Sequence, residues 1–90
     1  MNTGTWVVGK AYENGKLKWT EPGKVLMAND QVVIFEIPYY YGEKIECHRM
    51  PQDIRPATME DFDQVILNAS KLAVGIEEFV SNMYDIQKTL

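Results

Sequence analysis

From Phe62 onward, apolar residues recur at alternating spacings of three and four: Phe62, Val65, Ala69, Leu72, Ile76, Phe79, Met83, Ile86 and Leu90. This is an a/d heptad stripe, and it predicts a long helix. No proline follows Pro56. Thr58 can serve as N-cap with Asp61 three residues on, an approximate capping box. Glu60, Asp61 and Asp63 complement the positive end of the helix dipole. Residues 58–90 therefore read as one C-terminal helix, in which 59–88 would span about 45 Å at the usual rise per residue.

A stripe of that length exceeds what a small sheet can cover, since five strands span only about 20 Å. Ile66, Leu67, Ala73 and Val74 also make 62–74 apolar nearly all round, the pattern of a helix buried on two sides. The expectation is a helix with one side on its own sheet and a seam of Phe62, Val65, Ala69, Leu72, Ile76, Phe79, Met83 and Ile86 against a second copy. The alternative is a purely intramolecular core with the helix bent at Gly75, because glycine costs about 1 kcal/mol in a helix interior.

The first half of the chain has the other periodicity. Residues 5–13 alternate, with Trp6, Val8 and Tyr12 on one side, as a strand does. Asn14 and Gly15 then signal a two-residue hairpin turn. Residues 16–20 form the return strand. Pro22 and Gly23 suit a type II turn into a short strand over 24–28. Asn29 and Asp30 turn into 31–37, apolar on both faces and so expected to be central and covered on both sides. Pro38 stops it, Tyr39, Tyr40, Tyr41 and Gly42 form a loop, and 43–50 is the last strand. The fold class is α+β: residues 1–50 a five-stranded antiparallel meander (a curled sheet or an SH3-like barrel), 51–57 a linker, 58–90 the helix. Ninety residues make a single domain.

Charge narrows the partners. The net charge is −4, and all of the excess lies beyond residue 55. Such a chain is poorly suited to non-specific duplex binding, which needs basic residues to neutralise phosphates. Cys47 is the single cysteine, so no internal disulfide forms. The N-terminal residues do not read as a signal peptide, and no apolar run suits a membrane span. A cytoplasmic location is the expectation.

Candidate chemistry is sparse. Cys47 and His48 are neighbours on a strand and point to opposite faces, and two ligands fall short of a zinc site. No phosphate loop or nucleophile motif occurs, so neither cofactor nor catalytic residue is assigned, and an enzyme would need a site shared across a dimer. Tyr39, Tyr40 and Tyr41 read as an amphipathic contact surface, and Glu77, Glu78 and Asp85 as an acidic helix face that could imitate nucleic-acid phosphates. These point to a non-enzymatic, homodimeric interaction protein that binds an unidentified protein partner. By analogy with other small acidic proteins it would be an inhibitor or regulator, including those phages and mobile elements turn on host defence systems. The rival is a small barrel that binds single strands with Lys16, Lys18, Trp19 and the tyrosines.

Overall fold

The computed structural model describes residues 2–72 and 75–90. Six strands and two helices follow in order: β1 (Trp6–Glu13), β2 (Lys16–Trp19), β3 (Gly23–Ala28), β4 (Val33–Pro38), β5 (Lys44–Arg49), β6 (Ile54–Pro56), α1 (Met59–Ser70) and α2 (Glu77–Gln87). The fold is α+β, with an antiparallel sheet curled into a half-barrel and the helices on its outer face.

The sheet is not a simple meander. Its order is β2-β1-β3-β4-β5, with β6 also on β1. The β1–β2 hairpin forms as expected, Tyr12 opposite Leu17. Pro22 and Gly23, however, do not reverse the chain. Gly23 pairs with Val7, so β3 returns to β1 rather than to β2. The reason is steric. A Cβ on Gly23 would stand 2.5 Å from Cδ2 of Phe35, and one on Gly9 would stand 2.9 Å from its Cζ. The two glycines let the Phe35 ring lie against the backbone, a close approach that only glycine permits.

The stretch 51–57, read as a linker, carries structure. A 3-10 turn over Pro51–Asp53 leads into β6, and Val8 pairs with Arg55 there. Nor is β4 covered on both sides. Val33, Phe35 and Ile37 are buried, but Ile34 and Glu36 opposite them are only half-buried. A bulge between Val25 and Met27 puts the odd residue out, so Val25 and Ala28 both face inward although three residues apart.

Two cores result, back to back on β1, because successive strand residues point to opposite faces. Val7 joins Val25, Val33, Phe35 and Ile37 inside the half-barrel. Val8, its neighbour, joins Phe62, Val65, Ala69, Ile76, Phe79 and Met83 beneath the helices.

The long C-terminal helix is two helices. α1 begins as expected: Thr58 Oγ1 accepts from Asp61 N–H at 3.3 Å, and an Asp61 carboxylate oxygen accepts from Thr58 N–H at 2.8 Å. It ends at Ser70, and α2 starts at Glu77. Gly75 has φ +82°, the left-handed region that stops a right-handed helix. The helices form an antiparallel hairpin. Gln87, at the end of α2, donates through Nε2 to the Met59 carbonyl at 2.9 Å and to Asp63 Oδ1 at 2.7 Å, both at the start of α1. Doubling back lets one small sheet cover a stripe that a straight helix would carry past it. None of the described helices is long and apolar enough to cross a membrane.

Candidate interaction cleft

The expected seam residues are placed inside the chain. Phe62, Val65, Ala69, Ile76, Phe79 and Met83 are buried in its own core, with Ile86 packed against them. Leu72 is left 39 % exposed. Leu67 is exposed as well, so α1 is covered on one side only; Ala73 and Val74 lie outside the described residues. The continuous helix that a two-chain heptad seam needs is thus replaced by a hairpin that uses the stripe internally.

The tyrosine loop and the acidic helix face, far apart in sequence, come together. Tyr39 N–H donates to the Glu43 carbonyl at 2.7 Å and closes the loop. Within it Tyr41 holds a positive φ of 62°, followed by Gly42 at 83°. The Tyr40 ring turns inward and meets Phe79 of α2 edge-on, with centroids 5.0 Å apart, and Tyr39 lies over Tyr40 at 4.4 Å. Burial, then the neighbouring Tyr39 and Glu21, pushes the Tyr40 phenol above its ordinary value. Tyr40 is thus an anchor. Tyr41 lies against Gly75, where a Cβ would meet its Cε1 at 3.4 Å.

Between loop and α2 runs a cleft of about 620 Å³. Tyr39, Tyr41, Trp6 and Phe79 give it aromatic walls, and Glu43, Glu78 and Asp85 give it carboxylates. Glu78, Asn82 and Asp85 share one side of α2 by their spacing of four and three. Among the described residues of the lining the one cation is Lys44, whose Nζ lies 3.6 Å from Glu36, which offsets its charge. The cleft is therefore an aromatic groove of negative character. Glu77 falls outside it, in a shallower groove beside Leu72, Tyr84 and Lys88. Glu43 and Asn82 are not singled out by the sequence, and Trp6 is read there only as a strand aromatic and candidate base-stacking partner of the tyrosines. Asn82 could have been found from its spacing with Glu78 and Asp85, but Trp6 and Glu43 reach the cleft only through tertiary folding.

Trp19 and Lys18 of the rival reading are engaged elsewhere. The Arg55 guanidinium lies 4.6 Å from the centre of the half-buried Trp19 ring. Lys18 pairs with Glu13 at 2.7 Å, which lowers the Glu13 carboxyl below its ordinary value. Cys47 faces the half-barrel interior, where burial raises its thiol. His48 faces solvent, with Nε2 2.9 Å from Glu46. Among the described residues no group of three His, Cys, Asp or Glu could hold a metal ion.

No family model, curated protein or solved structure matches the chain. The functional reading therefore stands on the geometry of the cleft.

Proposed function

We propose that this chain is a non-enzymatic protein-interaction module, an inhibitor or regulator that binds a basic surface of another protein through the cleft between the tyrosine loop and α2. The observation that carries the reading is the convergence of Tyr39 and Tyr41 with Glu78 and Asp85 on one groove. Tyrosine and tryptophan supply large, rigid contact area with a polar edge. Carboxylates beside aromatic faces favour lysine or arginine, through ion pairing and cation–π attraction. An SH3-like course of the half-barrel belongs to the same reading, supported by the 3-10 turn that returns β6 to β1. A regulator from a phage or mobile element remains the analogy that fits a small acidic binder.

The test is capture from cells by the tagged wild-type chain, Tyr41→Ala and Glu78→Lys, with thermal melts run in parallel. A discrete partner held by wild type, released by added salt and lost in Glu78→Lys at unchanged melting temperature, supports the cleft. Equal capture by all three chains rules it out. Salt-sensitive binding to a labelled single-stranded oligonucleotide, unaffected by Glu78→Lys, would favour the nucleic-acid reading instead.

A further inference from the structure

We propose that the group the cleft takes from its protein partner is an arginine side chain, an inference that rests on the cleft being the contact surface. Its aromatic walls are held in place by the chain's own packing. Trp6 is in T-shaped contact with Phe62, ring centroids 5.8 Å apart. Phe79 is held by Tyr40, and Tyr40 by Tyr39. Tyr41, 64 % exposed, presents the most ring surface. Walls already ordered lose little entropy when a ligand arrives. Carboxylates stand on both sides, Glu43 on the loop and Glu78 and Asp85 on α2. All three are exposed, and among the described residues none of them forms an ion pair with a cation of the chain.

The chain itself displays what such a pairing of ring and carboxylate selects. In a second hollow, beside α1, the Arg55 guanidinium lies 4.6 Å from the centre of the Trp19 ring. Its two terminal nitrogens donate to the two Asp61 carboxylate oxygens at 2.8 and 3.0 Å. One planar cation thus satisfies a ring and a carboxylate together. The lysines behave differently. Lys10, Lys18 and Lys44 each meet a carboxylate, and among the described residues the cation over a ring is Arg55. An ammonium is a compact, strongly hydrated point charge, whereas a guanidinium is flat and weakly hydrated and presents a fork of donors. The cleft offers the same two ingredients as the Trp19–Asp61 pair, without a cation of its own to join them. An arginine from the partner lays its plane on the Tyr41 ring and turns its N–H edge to the carboxylates of α2.

The probes are capped glycine peptides with a central arginine, lysine or citrulline, titrated into the isotope-labelled whole chain and followed by NMR. The arginine peptide should shift amides of the tyrosine loop and α2 and the Trp6 indole N–H, saturably and about tenfold more tightly than the lysine peptide. Citrulline, which keeps the shape without the charge, should not bind. Tyr41→Phe should keep the preference for arginine and Tyr41→Leu should abolish it, with thermal melts verifying that both variants fold. Equal binding of the arginine and lysine peptides overturns the proposal, because the cleft then reads charge alone; it leaves the cleft standing as a contact surface. An arginine peptide that gives no saturable shift in the cleft at millimolar concentration overturns it too. Capture of a partner that Glu78→Lys abolishes would then show that the cleft binds by other chemistry, and capture that Glu78→Lys leaves unchanged would show that the cleft reading has failed as well.

Discussion

At the scale of single residues, Phe35 organises the half-barrel and two glycines make room for it. Gly23→Ala would force a methyl into a ring only 2.5 Å away. We expect a loss of about 2 to 3 kcal/mol in urea unfolding, as for other overpacked sites; Gly9→Ala, with slightly more room, should cost less. Asp61 is a second control point. Arg55 reaches it with two hydrogen bonds, of 2.8 and 3.0 Å. Burial alone would raise its carboxyl, but the bonds from Arg55 and Thr58 outweigh burial and hold it below its ordinary value. The folded chain thus binds this proton more weakly than the unfolded chain. Its stabilisation is present above the ordinary carboxylate value, near 3.9, and is lost as pH falls toward the lowered one. Asp61→Asn should therefore be less stable at pH 7 and lose less further stability on acidification, read from urea midpoints across pH. The capping role of Thr58 and Asp61 was legible in the sequence because it is local. Arg55 as their partner was not, because β6 must first dock on β1.

At the scale of elements, the helical hairpin departs most from the heptad reading. The spacing of Phe62 through Ile86 correctly marks one apolar face, but spacing alone cannot say whether that face meets another chain or folds back on itself. Gly75 decides it. With φ at +82°, Gly75→Ala should destabilise the chain by about 1 kcal/mol. The hairpin is tied at its far end by the buried polar side chain of Gln87. Gln87→Ala removes both of its bonds and should cost about 1 to 2 kcal/mol. Amides at the end of α2 should then exchange faster, measured by hydrogen exchange. An unchanged exchange rate would mean that the apolar face alone holds the hairpin shut.

For the whole molecule, β1 is the shared wall of two cores. Phe35 lies in one and Phe62 in the other, both fully buried. Val7 and Val8, adjacent on β1, couple them. Phe35→Leu and Phe62→Leu should each lower stability by about 1 to 2 kcal/mol and shift one common unfolding transition. Two separate transitions by calorimetry would show instead that the half-barrel and the hairpin unfold independently. Trp6 of the same strand lines the cleft, while the strand's edges hold β2, β3 and β6.

What the sequence determined by itself was whatever depends on near neighbours: strand alternation, the Asn14–Gly15 turn, the cap of α1, the apolar face of the helices and the acid excess beyond residue 55. These follow from backbone sterics, short-range hydrogen bonds and side-chain periodicity, all acting within a few residues. Tertiary structure decided what depends on contacts distant in sequence. Gly23 became a strand residue because Phe35 lies over it, residues 54–56 became a strand because β1 had an edge to pair, and the heptad stripe closed on its own sheet. The cleft belongs to this second class. Tyr41 and Glu78 stand 37 residues apart in the chain, and they share a groove only because Tyr40 packs on Phe79 and draws the loop onto α2.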